Sequence, residues 1–183
     1  MTSTAPRGLT TIHLETVLDA PVDRVWSAMQ YPGTFLYVAR GVLGVPLLQG
    51  RCEPFTVGER GTGWLFLFHV IPLSRHTIEV VAIDEVDHTI ATREGGGLLR
   101  TWNHTLRVEP VHDHVDGHAG GHDGDDRSRY SDTIELDAGR LTPIIARAAT
   151  LIFRYRQRRW HRLARRHLVP VDHRTAPPDV LTG

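Results

Sequence analysis

One helical pattern near the C-terminus constrains the fold most: it runs from about residue 141 to 168. Leu141, Ile144, Ile145, Ala148, Leu151, Ile152 and Tyr155 recur at intervals of three and four, and Leu163 continues the stripe after a basic interval. At about 1.5 Å per residue such a helix spans roughly 40 Å, enough to cross a small domain. An apolar stripe of that length must be buried against something. The segments ahead of it are short, β-branched and aromatic, which makes that partner a sheet. The expectation is a two-layer α+β domain, an antiparallel sheet packed on one long helix.

Residues 11–18 alternate, with Ile12, Leu14 and Leu18 on one side and His13 and Glu15 on the other, as in a half-buried strand. Asp19, at or just before an N-cap, and Pro21 then open a short helix carrying Val22, Val25, Trp26 and Met29. Tyr31-Pro32-Gly33 breaks it, and residues 34–40 fit a second short helix. Residues 42–58, punctuated by glycine and proline, read as irregular, with a short strand at 52–57. After Gly63 the run WLFLFHVI is apolar on both faces and reads as one strand ended by Pro72. Further strands are expected at 76–83, 89–94, 99–109 and 129–137. Segment 111–128, VHDHVDGHAGGHDGDDRS, has no apolar periodicity and is expected to be a mobile hairpin loop. Residues 1–10 read as a frayed N-terminus, 11–168 as a single domain and 169–183 as a loose tail.

Charge and cysteine content narrow the function classes. The 21 basic residues, all arginine, balance 21 acidic ones, so no global field draws the protein to nucleic acid. The single cysteine, Cys52, allows no intrachain disulfide, thiolate zinc cluster or paired-cysteine redox motif, and it reads as structural. No apolar run approaches the roughly 18 residues of a membrane span, and the N-terminus has no signal-peptide core. A soluble, cytoplasmic protein without stable membrane insertion is expected.

The order of elements, with the motif LDAPVDRVWSAM after the first strand, resembles the START-like (SRPBCC) superfamily of polyketide cyclase/dehydrase type, in which an alanine-proline pair starts a helix carrying a buried tryptophan; Trp26 matches it. RHTIEVVAID, TWNHTLRVEP and RYSDTIELDAG followed by LTPII, with the basic helix end RRWHRLARR, are similar to uncharacterised bacterial members of that group. The resemblance covers about residues 11–168. It implies a helix-grip fold: a curved antiparallel sheet wrapped around the long C-terminal helix, two short helices after strand one, and a cavity between sheet and helix that takes lipids, sterols, polyketides or hormones. It implies no universal catalytic motif.

Candidate chemistry therefore comes from the residues. Trp102 and His104 share a strand face with Leu106 and Val108; Tyr130 and Asp132 share one with Ile134 and Leu136. If these strands pair, His104 and Asp132 form an acid/base pair with Tyr130 as a hydrogen-bond donor, the set that a cyclase or dehydratase without metal or organic cofactor would use. The alternative is that these groups anchor the cavity wall, since buried polar groups are normally paired. Trp64, Phe66, Phe68, Trp102, Leu106, Tyr130, Ile134, Ile145, Ala149 and Phe153 are the candidate walls of a pocket for a small hydrophobic molecule, lipid-like or aromatic and polyketide-like. A register error of one residue would exchange Phe66 for Leu67.

His69 and His76 flank the turn at Ile71-Pro72 and read as rim residues, with ligand contact as the alternative; Arg93 and Glu94 read as a surface pair, the alternative being that one points into the pocket, where a buried Arg would favour an anionic ligand group. The histidines and aspartates of 112–123 have ligand chemistry for a transition metal but no fixed spacing, so no metal site is assigned. Arg154, Arg156, Arg158, Arg159, Arg162, Arg165 and Arg166 complement the dipole of the helix end. An apolar outer strand face leaves a homodimer or another interaction module open.

Overall fold

The structure, a computed structural model, describes residues 9–111 and 127–165. The N-terminal residues 1–8, nearly all of the His-rich segment and the tail from residue 166 lie outside the described residues. Strand β1 (Thr10–Leu18) leads into helices α1 (Val22–Met29) and α2 (Pro32–Ala39). A two-residue strand β2 (Leu43–Gly44) and a 3₁₀ turn (Pro46–Leu48) follow. Then come β3 (Arg60–Leu67), β4 (Ile71–Asp84), β5 (Thr89–Gly96), β6 (Leu99–Pro110) and β7 (Ser128–Asp137), and finally α3 (Thr142–Ala164). All strands form one antiparallel sheet in the order β1-β7-β6-β5-β4-β3-β2. Register shifts at Leu65/Phe66, Val80/Ala82 and Glu94/Gly96 put one in each of three successive strand pairs. Such bulges bend a strand and increase its twist. The sheet accordingly curls around α3.

Three local expectations change. No strand forms at 52–57; instead the Phe55 N–H donates to the Gln30 carbonyl (2.8 Å) and its ring packs on the core, so this segment is held by the helical insert, not by a ladder. The WLFLFHVI run is not one strand. Phe68 and His69 take left-handed backbone (φ 51° and 63°) and turn the chain, and Pro72 sits inside β4 opposite Phe66, at the bulge where its missing N–H costs no ladder bond. Helix α1 begins at Pro21 as N-cap rather than Asp19, with no side-chain cap. Trp26 is buried, as the motif implies, and its indole N–H donates to Glu85 Oε2 at 2.7 Å.

The long helix is present, but its buried face is rotated from the expected stripe. Ile144 and Leu151 are each 67% exposed, and Leu141 is exposed as well. The buried residues are Ala149, Phe153, Arg156, Trp160 and Leu163, at intervals of four, three, four and three, with Gln157 beside them. This stripe contains an arginine and a glutamine, so apolar periodicity alone follows the neighbouring stripe.

Two apolar clusters lie between sheet and helices. One joins Leu18, Trp26, Val38, Val108, Tyr130, Trp160 and Leu163; the other joins Ile12, Ile134, Leu136, Ala149 and Phe153, with Trp102 against it. β6, β7 and α3 each contribute to both, and between the two contributions stands a polar residue: His104 on β6, Asp132 on β7, Arg156 and Gln157 on α3. Strand alternation and helix periodicity thus set one polar layer between two apolar ones.

Candidate functional site

The polar layer is a set of carboxylate–imidazole pairs on adjacent strands. His104 Nε2–H donates to Asp132 Oδ1 at 2.9 Å, the Tyr130 hydroxyl donates to the same oxygen at 2.9 Å, and the Gln157 amide donates to Oδ2 at 3.3 Å. One strand pair further along, His76 Nε2–H donates to Glu94 Oε2 and the Thr92 hydroxyl to Oε1, both at 2.9 Å. In each pair the carboxylate holds the proton on Nε2, which leaves Nδ1 as the basic nitrogen of the neutral ring.

Burial by itself would raise the pKa of Asp132, but the hydrogen bond from His104, the positive field of Arg156 and the Tyr130 hydroxyl outweigh it, and the carboxyl lies below its ordinary value. Glu94 follows the same pattern: burial opposes ionisation, and His76, the nearby His104 and Thr92 together hold it below the usual carboxylate value. Tyr130 goes the other way. Burial, then the negative charge of Asp132, push its phenol well above the ordinary range, so it stays a neutral donor.

Two adjoining cavities open on this layer. The first, of about 200 Å³, lies against α1 and α2 and is walled by Met29, Val38, Leu48, Val80, Ile90, Leu106 and Trp160. The second, of about 340 Å³, lies against the first half of α3 and is walled by Leu65, Leu67, Leu73, Trp102, Ile145 and Phe153. Phe35, Ile78, Glu94, His104 and Arg156 belong to both walls and mark the junction.

Of the residues expected from sequence, Trp102, His104, Leu106, Ile145, Ala149 and Phe153 stand on these walls. Trp64, Phe66 and Phe68 do not. Trp64 and Phe68 are 53% and 56% exposed, and the alternation of β3 turns Leu65 and Leu67 inward instead. The run is apolar on both faces, so its pattern carries no information on which face looks in. Tyr130 and Ile134 are fully buried behind the wall, the first with its hydroxyl bonded to Asp132, and neither lines a cavity. Asp132 is also fully buried and off the wall, and is bonded to His104, which stands on it.

Three residues at the site escaped the sequence reading. The rim and surface readings do not hold: His76 is buried, Glu94 is half-buried, and the two are paired inside. Arg156, one of seven arginines read as a solvated helix end, is only 3% exposed. Their signal was alternation: Thr92 and Glu94 continue the inward face of Ile90, and His76 that of Ile78 and Val80. His69 lies at the β3–β4 turn, where Nε2 accepts the Gly41 N–H at 3.1 Å. Among the described residues no group of three or more metal-ligating side chains is arranged to hold an ion, and no helix is long and apolar enough to cross a membrane.

No protein-family model matches the sequence, and no curated protein matches it. Solved structures do match in shape. Norcoclaurine synthase from Thalictrum flavum, in complex with dopamine and hydroxybenzaldehyde, superposes with a TM-score of 0.60 at 14% identity, over 92% of this chain and 96% of that one. Protein CV1439 from Chromobacterium violaceum gives 0.58 at 16% identity, over 84% and 96%. A point mutant of the same synthase in complex with a transition-state analogue gives 0.55 at 15% identity, over 96% and 100%. At these identities the likeness concerns architecture alone: the chain has the START-like helix-grip fold, a curled antiparallel sheet closed by a long C-terminal helix.

Proposed function

We propose that this protein binds a small hydrophobic molecule, lipid-like or aromatic, between the sheet and α3. The supporting observation is the pair of adjoining cavities, about 200 and 340 Å³, whose walls are mostly aliphatic and aromatic side chains. Removing an apolar ligand from water contributes about 25 cal/mol per Å² buried, and a few polar groups at the junction supply orientation. That the synthase sharing this fold was solved with dopamine and hydroxybenzaldehyde, both small aromatic molecules, favours a ligand of that size. Native mass spectrometry of gently purified protein, with organic extraction of what co-purifies, tests the reading. A stoichiometric hydrophobic adduct is expected. An empty protein whose melting temperature no member of a lipid and polyketide panel shifts would overturn it.

A second reading, a cyclase or dehydratase needing no cofactor, is favoured by one specific arrangement. His104 stands on both cavity walls with a carboxylate behind its ring. Its Nδ1 would take a proton from carbon or oxygen next to a ligand carbonyl and return it after ring closure or loss of water, while Asp132 stabilises the imidazolium in between. Once a co-purifying molecule supplies a substrate, His104→Ala is expected to abolish turnover while binding survives. Equal loss of both assigns His104 to the scaffold.

A further inference from the structure

The junction of the two cavities contains a cation with no ion-pair partner among the described residues. Arg156 is 3% exposed, and its guanidinium carbon lies over the ring of Phe35, 5.1 Å from the centroid, and over that of Phe153, 4.5 Å from the centroid. Its Nε–H, fully buried, has no hydrogen-bond acceptor. Among the described residues no carboxylate lies within ion-pairing distance of it; the two nearby carboxylates, Asp132 and Glu94, already accept three and two hydrogen bonds from other side chains. A guanidinium cannot shed its proton near neutral pH, unlike a buried lysine, so the mismatch cannot be relieved by titration. The rings offer no hydrogen-bond acceptor, so the N–H edge of the guanidinium, which matches a carboxylate in a two-point bond, is where an acceptor is missing.

We propose that Arg156 anchors the acid group of the ligand, so that the cavity selects apolar monocarboxylic acids. The carboxylate sits at the junction and the apolar body extends into one or both cavities. This assignment rests on the cavity being a ligand site. It adds a charge requirement that burial of apolar surface does not predict. Asp132 lies off both cavity walls, and the oxygens of Glu94, which stands at the junction, already accept from His76 and Thr92.

The test compares matched acid and amide probes by isothermal titration calorimetry at pH 7: 1-naphthylacetate against 1-naphthylacetamide, and decanoate against decanamide. Wild-type protein is expected to bind each acid at least about tenfold more tightly than its amide. Arg156→Met, which keeps the length and loses the charge, is expected to bring the ratio to about one. Arg156→Lys is expected to keep part of it, since the charge stays and the two-point geometry is lost. Circular dichroism and melting curves establish that each variant is folded; should Arg156→Met not fold, the wild-type and Arg156→Lys ratios decide alone. Amides that bind wild-type protein as tightly as acids, or an acid preference that survives Arg156→Met, would overturn the anchor while leaving a neutral-ligand pocket standing. Binding of neither probe class overturns both.

Discussion

His104 and Asp132 are hydrogen-bonded at 2.9 Å although they do not face each other in the ladder: His104 is opposite Ile134, and Asp132 is opposite Leu106. The pair is therefore diagonal across β6 and β7, a spacing that a long imidazole can bridge. Asp132 and Glu94 both have native pKa values below those of an unfolded chain. Each depressed carboxyl contributes stability that is complete above the unfolded carboxylate range and is lost as pH falls through the native value. Urea unfolding between about pH 5 and pH 3 is thus expected to show a falling free energy, with a shallower slope in Asp132→Asn. Equal slopes would mean that the pairs are not ionised in the native state.

Deleting the shared acceptor should cost more than deleting a donor. Asp132→Ala leaves His104, Tyr130 and Gln157 without a partner in the core, and a loss of about 3–5 kcal/mol is expected. Tyr130→Phe removes one neutral donor from an acceptor that keeps two others, and about 1 kcal/mol is expected. Chemical denaturation at pH 7 compares the two.

The inward face of β3 can be read from the response to bulk. Leu65→Trp fills the second cavity and should weaken binding of the neutral fluorophore N-phenyl-1-naphthylamine by about tenfold or more. Trp64→Ala, on the outer face, should leave that binding unchanged and shift stability by about 0.5 kcal/mol or less. Fluorescence titration separates the two, and the opposite result would put Trp64 inside.

Gly96 closes β5 beside the His76–Glu94 pair with φ +144°, and a Cβ there would lie 2.1 Å from the Arg75 carbonyl oxygen. The obstacle is backbone and cannot swing aside. Gly96→Ala is expected to lower stability by about 1–3 kcal/mol and to disturb the bulge that aims Glu94 inward. Thermal melting reports the first effect and the chemical shifts of the His76 ring the second.

Much of the architecture was legible because strands and helices with one wet face must alternate in their own periods. Thr10–Leu18, Leu99–Pro110 and Ser128–Asp137 alternate cleanly, and the strand at 99 and the helix at 142 both fall within a residue or two of expectation. The same alternation brought His104, Asp132 and Tyr130 to inward faces. It failed for WLFLFHVI, where both faces are apolar, and for α3, where the buried stripe includes Arg156 and Gln157. Glu94 and His76 were misplaced although alternation puts them on inward faces, because their charge and polarity favour a wet position until a partner on the neighbouring strand is known.

By itself, then, the sequence determined the element order, the α+β class, the helix-grip likeness and the two residues of the diagonal pair, because each depends on patterns within a few neighbouring positions. Tertiary structure alone decided which face of β3 looks inward, that Arg156 and Gln157 belong to the buried stripe of α3, that the Tyr130 hydroxyl is bonded to Asp132, and that Arg156 stands without an ion-pair partner between two cavities. Those are properties of contacts between residues far apart in the chain. A buried charge differs from an exposed one only in what the rest of the fold places around it.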